Sequence, residues 1–213
     1  MTLEVLHITQ QLSSGGAGKA LEALASAAKR SRHRVASLLP ATPEARTRLR
    51  SQAIPLLEQP HATELSACMN QADVVQIHFW NTPELYALMT LEHNCRLVIW
   101  SHVEGSTTPH ILIPELASYC QSLVHSCSTP DPTAISIRPG SPHHFALRSL
   151  PPRDTQPLVV GIFGSLHRSR MCMEALDVFA KAACPDSRLL VVGQGDLVPR
   201  WQRHASELNL QER

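Results

Sequence analysis

A glycine-rich stretch at residues 13–19 has the composition of a phosphate-binding turn. It follows an apolar run, and Gly15 and Gly16 stand directly before an alanine-rich, helix-forming segment. Such a turn lets the backbone approach a ligand, and the helix N-terminus offers an anion free N–H groups and the positive end of the dipole. The stretch is not a Walker A motif, because Ser13 replaces the first glycine and alanine follows the lysine. It predicts a phosphate contact, with a plain tight turn as the alternative.

Two more glycine turns lie near the end of the sequence, one strand-helix unit apart. Gly164 follows an apolar run and precedes Arg168 and Arg170. Gly193 and Gly195 follow the next apolar run. Arginine suits phosphate because its planar guanidinium offers paired N–H donors. The turns and the arginines together predict a diphosphate site.

Two histidines come at the ends of successive apolar runs. His78 stands two residues before Trp80, and His102 stands two residues before Glu104. Side chains at the carboxyl ends of parallel strands line the crevice in which α/β proteins bind ligands. A histidine there can donate to a ligand oxygen or polarise a reacting group. The alternatives are a histidine that only caps its strand and a tryptophan that belongs to the core.

The sequence has no motif with metal-ligand spacing. Its twelve histidines and six cysteines include neither a HExxH pair nor a Cys/His quartet at zinc spacing, so we expect no metal and no cofactor. A basic cluster without an aromatic residue for base stacking is better explained by exposed helix ends than by nucleic-acid binding. That cluster comprises Lys29, Arg30, Arg32, Arg34, Arg46, Arg48 and Arg50.

The candidate residues need a sheet that brings them to one edge. Short apolar runs alternate with helix-forming segments, and most runs have no polar face, which predicts a parallel sheet covered on both sides. The fold class is therefore a doubly wound, Rossmann-like α/β sheet followed by the first βαβα of a second one. The predicted strands are residues 3–9, 35–39, 74–77, 97–100, 122–125, 135–137, 158–164 and 188–192. The predicted helices are 17–30, 61–71, 83–90, 111–119, 172–183 and 198–208.

The length of 213 residues gives one domain of about 150 residues and a remainder too short for a second full domain. We predict a first α/β domain over residues 1–150, a proline-rich linker over 151–157 and an incomplete second domain over 158–213. An open sheet of two strands cannot bury both faces of its helices. The sequence is therefore interpreted as a fragment or a natural truncation.

The composition excludes several classes of protein. With 43% hydrophobic and 17% charged residues and a formal net charge of +1, the chain is neither disordered nor built mainly to wrap nucleic acid or an anionic membrane. No window approaches the roughly 18 apolar residues of a membrane span, and no basic segment precedes an apolar one at the start. We expect a cytoplasmic protein without a transmembrane segment, and peripheral membrane association stays open.

In their order and spacing these motifs resemble the retaining, metal-independent nucleotide-sugar glycosyltransferases of the GT-B fold, glycosyltransferase family 4. The resemblance covers essentially the whole chain. In the first domain it rests on the glycine loop at residues 14–18 and the strand ends at 73–80 and 100–102. In the nucleotide domain it rests on residues 161–170, 190–195 and 205–210.

The resemblance implies transfer of a sugar from a nucleotide diphosphate to an acceptor hydroxyl, with retained anomeric configuration. His102 would be the catalytic residue and bind the transferred sugar. The donor and phosphate contacts would be Gly15, Gly16, Gly164, Ser165, Arg168, Arg170, Gly193 and Gly195, and the acceptor side would include His78, Trp80 and Glu104. The acceptor would be a glycan, a lipid-linked molecule or a small molecule, and no nucleic acid is expected as a partner.

The chain also departs from the family pattern. Ser165 stands where many members have arginine, Arg170 stands where lysine is usual, and residues 139–142 replace an "NGxD" turn. No two glutamates after Gly164 have the spacing of the family's donor-binding pair. We therefore expect this chain to be inactive or incomplete as a transferase. The alternative is a non-catalytic α/β binding or scaffold protein derived from a glycosyltransferase, and a nucleotide hydrolase is disfavoured by the failed Walker pattern.

Overall fold

The computed structural model describes residues 2–91, 93–103, 105, 111–126, 135–137, 158–167, 173–182 and 186–211. The chain divides into two units, Met1–Phe145 and Ala146–Arg213. The predicted linker at 151–157 and the predicted domain boundary at residue 150 lie outside the described residues.

Strands and helices alternate along the first unit. Its strands are β1 (Leu3–Gln11), β2 (Ser31–Leu39), β3 (Leu56–Glu58), β4 (Val74–Phe79), β5 (Arg96–Ser101), β6 (Ser122–His125) and β7 (Ile135–Ser136). Its helices are α1 (Gly16–Ala27), α2 (Pro43–Ser51), α3 (Ala62–Gln71), α4 (Pro83–Ala87) and α5 (Glu115–Tyr119), and a short 3-10 helix (Leu88–Thr90) follows α4.

These seven strands form one sheet in the order β3-β2-β1-β4-β5-β6-β7. All neighbouring strands in it are parallel. The sheet grows outward from β1 in both directions, as in doubly wound folds that bind ligands where the strand order reverses. The predicted Rossmann-like α/β class is confirmed.

One face of the sheet is apolar along its centre. Leu6, Ile77 and Ile99 are at most 1% exposed there and pack with Leu65 and Met69 of α3. Burial of such side chains stabilises the fold by about 1.5–3 kcal/mol each. This face supplies the main hydrophobic core of the first unit.

The opposite face carries polar side chains that are equally buried. His7, Ser37 and His78 are each at most 1% exposed. On the same face, Val35 of β2 packs with Leu21 of α1 in a second apolar cluster. Polar groups buried to this degree need hydrogen-bond partners, and the partners that these groups find define the candidate site below.

Two elements of the first unit were absent from the sequence prediction. Helix α2 is rich in arginine and buries only Ala45 and Leu49, so its apolar periodicity is weak. Strand β3 has three residues and pairs with β2 at the edge of the sheet. Tertiary pairing decides such short elements, because local propensity is too weak to do so.

The second unit consists of β8 (Val159–Phe163), α6 (Glu174–Ala182), β9 (Arg188–Val192) and α7 (Val198–Glu207). The two strands pair in parallel, which confirms the predicted βαβα. Phe179 of α6 and Trp201 of α7 are buried in one apolar cluster with Leu166 and Leu197. Nε2 of His204 in α7 lies 3.1 Å from a carboxylate oxygen of Asp177 in α6, so a hydrogen bond also joins the two helices.

Among the described residues, no helix combines the length and the apolar character needed to cross a membrane.

Candidate functional site

The first glycine-rich turn joins β1 to α1 at the carboxyl edge of the sheet. Gly15 is the N-cap residue of α1, and neither a capping side chain nor an acidic residue in the first turn satisfies the helix start. Gly15, Gly16 and Lys19 are exposed. No side chain of the helix's own first turn therefore offsets its first N–H groups and positive dipole end, and the turn is suited to an anion.

Glycine is required within this turn at a position that sequence analysis did not assign a role. A Cβ on Gly18 would overlap the carbonyl oxygen of Ser13, whereas a Cβ on Gly16 would have no neighbour within 4 Å. Gly18 thus permits the close approach of loop and helix. The space beside Gly16 is open to a ligand.

Arg48 of α2 also contacts this turn, and the sequence did not indicate that contact. Its guanidinium makes two hydrogen bonds to the Glu22 carboxylate, at 2.7 and 2.9 Å. A third donor lies 3.4 Å from the Ser14 hydroxyl. The side chain of Glu22 is only 6% exposed, so this ion pair fixes α2 to α1 beside the glycine turn.

Four histidines form a hydrogen-bonded chain across the polar face of the sheet, which we call the histidine chain. It passes from β2 through β1 and β4 to the residue after β5, with a serine at each end. In order, its members are Ser31, His33, His7, His78, His102 and Ser126. The successive contacts measure 2.8, 2.8, 3.4, 3.0 and 2.9 Å.

The strand register explains why these rings meet. His7 pairs with Gln76, and His78 stands two residues further along β4 on the same face. His78 pairs with Trp100, and His102 again stands two residues further along. From each of these histidines to the next, the histidine chain therefore crosses to the neighbouring strand and advances two residues toward the carboxyl edge of the sheet. The chain begins at the amino end of β2, where His33 lines a surface cavity of about 560 Å³.

Burial keeps the middle of the histidine chain uncharged. The pKa of His7 is lowered to about 3, mainly by desolvation and also by the neighbouring His33, while a hydrogen bond of His7 with the Gln76 side chain acts in the opposite direction. Desolvation also holds the pKa of His78 well below its usual range, helped by His7 and His102. At neutral pH both rings are neutral, so each has one donor and one acceptor nitrogen.

His102 ends the chain at the carboxyl edge and is surrounded by aromatic rings. The ring centroids of Trp80 and His102 lie 5.1 Å apart with nearly parallel planes, and Trp100 lies 5.3 Å away. Nε2 of His102 faces His78, and Nδ1 faces the hydroxyl of Ser126. Both ring nitrogens are thus within hydrogen-bond distance of protein atoms. Glu104 lies outside the described residues.

The sequence predicts His78 and His102 as residues of the site, but it does not indicate His7, His33 or Ser126. A signal for His7 existed, because it interrupts the apolar run of β1 between Leu6 and Ile8. A buried histidine in a central strand needs a partner, but only the register shows which side chain provides it.

In the second unit the two predicted glycine turns lie side by side at the carboxyl ends of β8 and β9. The Gly164 N–H donates to the carbonyl of Val192 at 3.0 Å. A Cβ on Gly193 would overlap the carbonyl oxygen of Gly164, so the two turns are in direct contact. Ser165 is exposed beside them, and Gly195 follows in the second turn. Arg168 and Arg170 lie outside the described residues.

The remaining candidates of the sequence analysis are also placed. No group of three or more His, Cys, Asp and Glu side chains among the described residues is arranged to hold a metal ion. Within the basic cluster, three arginines pair with carboxylates of the same chain: Arg32 with Glu4, Arg46 with Glu58 and Arg48 with Glu22. These contacts give the three arginines a structural role.

The sequence matches no protein-family model and no curated protein. Solved structures with a similar fold do exist. HepE from Anabaena, crystallised with UDP and glucose, has a TM-score of 0.71 at 17% identity over 99% of this chain and 68% of its own. The lipopolysaccharide outer core galactosyltransferase WaaB has a TM-score of 0.61 at 15% identity over 99% of this chain and 66% of its own. The O-GlcNAc transferase of Thermobaculum terrenum has a TM-score of 0.62 at 22% identity over 98% of this chain and 42% of its own.

These similarities define the class to which the fold belongs. The chain has the α/β fold of the GT-B glycosyltransferases, and the match to HepE covers 99% of the present chain. At identities of 22% or less, the similarity establishes the fold alone.

Proposed function

We propose that this chain is a nucleotide-sugar glycosyltransferase sequence of the retaining, metal-independent type, glycosyltransferase family 4. The observation that carries the proposal is the pairing of this fold with glycine turns at the carboxyl edges of both units. Three of the similar proteins are transferases of sugars by name or were crystallised with UDP. A donor of the same chemical class fits the anion-binding character of the turns.

The proposed reaction transfers a sugar from a diphosphate to an acceptor hydroxyl. The bond between the anomeric carbon and the diphosphate oxygen breaks, and a bond from that carbon to the acceptor oxygen forms. Negative charge develops on the leaving diphosphate, and a diphosphate oxygen takes up the proton that the acceptor hydroxyl releases. Backbone N–H groups of a glycine turn stabilise that charge, because preorganised donors usually provide the largest part of catalysis. Arg170 supplies a guanidinium to the same diphosphate.

We assign the sugar and acceptor contacts to the histidine end of the first unit. His102 with Trp80 presents an aromatic and polar wall at the carboxyl edge, a composition that suits a sugar ring. His78 acts behind His102, since it is 1% exposed and reaches a ligand only through its neighbour. From its position in the sequence we also assign Glu104 to the acceptor side, and the proposed acceptor is a glycan, a lipid-linked or a small molecule.

Isothermal titration calorimetry tests the donor site directly. The 213-residue chain is titrated with UDP, UDP-glucose and GDP-mannose, and Arg170→Ala is compared with Arg96→Ala, an exposed arginine at the start of β5. A charge-assisted hydrogen bond contributes about 1.5–3 kcal/mol, so Arg170→Ala should weaken nucleotide binding at least about tenfold. Arg96→Ala should bind as the parent chain does. Absence of nucleotide binding to the parent chain, or equal binding by both variants, would contradict the assignment.

Retention is tested by the anomeric configuration of the product. Many transferases hydrolyse their donor slowly with water as acceptor, and proton NMR identifies the anomer of the released sugar before it equilibrates. The proposed mechanism predicts the same anomer as in the donor. The opposite anomer would establish inversion.

One observation favours a second candidate, a non-catalytic binding or scaffold protein derived from a glycosyltransferase. Both nitrogens of His102 already contact protein atoms, whereas a catalytic histidine must offer one to the substrate. Nucleotide binding without turnover fits this candidate, and it also fits a transferase that is incomplete as this chain. Measurable transfer by the 213-residue chain would exclude it.

A further inference from the structure

The contacts of the histidine chain leave only two arrangements of its hydrogens. A neutral imidazole has one N–H donor and one bare nitrogen that accepts. When all four rings are neutral and hydrogen-bond one another, with Gln76 as an additional partner of His7, a hydrogen on Nε2 of one ring requires a hydrogen on Nε2 of the next. All four histidines are then either Nε2–H or Nδ1–H.

The contacts at the Ser31 end of the histidine chain favour one of these two arrangements. The hydroxyl of Ser31 lies 3.2 Å from the carbonyl oxygen of Ala28, and a carbonyl can only accept. The ring of His33 also hydrogen-bonds the Ala28 carbonyl, a contact that raises the pKa of His33. Because a carbonyl only accepts, this contact favours a hydrogen on the His33 nitrogen at this end, Nε2, from which the Ser31 hydroxyl then accepts at 2.8 Å. The contacts from ring to ring carry the same tautomer through His7 and His78 to His102.

At the near end, this direction determines what Ser126 can do. Nδ1 of His102 carries no hydrogen, so it accepts from the Ser126 hydroxyl at 2.9 Å. The backbone N–H of Ser126 donates to the carbonyl of Ser101 at 2.9 Å, which fixes the residue at the carboxyl edge. Ser126 Oγ has then used its hydrogen and retains lone pairs. Toward a ligand it is an acceptor only.

The histidine chain is rarely protonated at neutral pH. With a pKa of about 3, only about one His7 in 10⁴ is protonated at pH 7. The neutral rings instead form a series of hydrogen bonds that all point the same way. As a result, the Ser126 hydroxyl at the end of the series donates to Nδ1 of His102.

We propose that the histidine chain holds His102 as the Nε2–H tautomer and thereby makes Ser126 Oγ an acceptor for a hydroxyl of a bound sugar. The inference rests on the proposed function for the identity of the ligand, because a sugar ring is the hydroxyl donor of that reaction. Ser126 is a binding residue, and His7, His33 and His78 are positioning residues that act through His102. The donor sugar and an acceptor sugar are the two sources of such a hydroxyl.

The tautomers are measured without any ligand. In the 213-residue chain labelled with ¹⁵N-histidine, long-range ¹⁵N–¹H correlation spectra distinguish protonated from bare ring nitrogens. We expect hydrogen on Nε2 and none on Nδ1 for His7, His33, His78 and His102. Ser126→Ala should shift the Nδ1 resonance of His102, and Ser126→Thr, which keeps the hydroxyl, should restore it. A His102 that carries its hydrogen on Nδ1 in the parent chain would overturn the proposal.

Binding then tests the role of Ser126 with three probes: UDP, UDP-glucose and free glucose. Ser126→Ala should leave the Kd of UDP unchanged and weaken a sugar-bearing probe about fivefold, the loss of one neutral hydrogen bond. Ser126→Thr should retain most of the affinity. Weakened UDP-glucose identifies the donor sugar as the source of the hydroxyl, and weakened glucose alone identifies an acceptor sugar.

The two proposals fail in different ways. If the parent chain binds both sugar probes and Ser126→Ala changes neither, the role of Ser126 is refuted while the proposed function stands. If the parent chain binds none of the three probes, the proposed function and the sugar as ligand of Ser126 are both refuted. The NMR measurement decides the direction of the chain in either case.

Discussion

Nδ1 of His78 lies 3.0 Å from Nε2 of His102, although 24 residues separate them in the sequence. The contact exists because β4 and β5 are neighbours in the sheet and their register offsets the two histidines by one residue pair. A residue inside the sheet thereby reaches the residue that follows the adjacent strand. Through this contact the buried polar face is continuous with the carboxyl edge.

The stability of the first unit should fall as the pH decreases below 6.5. The pKa of His7 is about 3 in the folded chain and about 6.5 when unfolded, so between these values the unfolded state binds the additional proton. His78 acts in the same direction. From pH 7 to pH 5, His7 alone should reduce the free energy of unfolding by about 2 kcal/mol.

Urea denaturation at the two pH values measures this effect. In His7→Gln, which has no titrating group at this position, the decrease should be smaller by about that amount, even if the variant is less stable overall. Equal pH dependence in the parent chain and His7→Gln would show that His7 titrates normally in the folded state.

Two glycines of the first turn should respond differently to alanine. Gly18→Ala brings a Cβ into the carbonyl oxygen of Ser13, so it should destabilise the first unit by about 1–3 kcal/mol, as other overpacking changes do. Gly16→Ala adds its Cβ in open space within the first turn of α1, so its stability should stay within about 1 kcal/mol of the parent. Thermal or urea unfolding provides the comparison.

The variants Gly16→Ala and Gly18→Ala also distinguish an effect on folding from an effect on ligand binding. If a ligand approaches the backbone at Gly16, Gly16→Ala should weaken binding of UDP or of inorganic phosphate while the fold stays intact. A stable Gly16→Ala variant with unchanged binding of both probes would remove Gly16 from the candidate site.

The ion pair of Arg48 and Glu22 should contribute more to stability than that of Arg32 and Glu4. Removing one partner of a buried pair costs about 3–5 kcal/mol, and because Arg48 is 33% exposed we expect about 2 kcal/mol after solvent screening. Arg32 is 74% exposed, so its loss should cost at most about 1 kcal/mol. Urea unfolding of Arg48→Met and Arg32→Met compares the two, and equal costs would contradict the structural role of Arg48.

The contact between the two glycine turns of the second unit should depend on Gly193. Gly193→Ala places a Cβ against the carbonyl oxygen of Gly164, which should separate the turns and accelerate hydrogen exchange in β8 and β9. Gln194→Ala, at the adjacent exposed position, is the control and should exchange as the parent chain does. Unchanged hydrogen exchange in Gly193→Ala would show that the contact between the two turns does not protect β8 and β9.

Much of the fold was predictable because it depends on local patterns. The runs that became β1, β4, β5 and β6 contain enough apolar residues to predict buried parallel strands, although polar residues interrupt β1 and β4. The glycine turns were predictable for the same reason, since turn residues follow each run directly. Helix α2 and strand β3 were missed because one has few apolar residues and the other is very short.

The candidate site was predictable only in part. His102 and His78 were found because both stand where an apolar run ends. Ser126 was not, since a serine after a strand is unremarkable until its neighbour is known. Arg48 was assigned to a basic surface, because the sequence does not show that Glu22 on another helix lies beside it.

The sequence by itself determined which segments are strands, which turns contain glycine and which strand ends carry histidine. These properties depend on backbone conformation and hydrophobic periodicity, which act over a few residues. Only the tertiary structure decided that Ser31, His33, His7, His78, His102 and Ser126 form one hydrogen-bonded chain. That chain depends on strand order and on register. A shift of one residue in the register of a strand would turn the ring on that strand to the opposite face of the sheet.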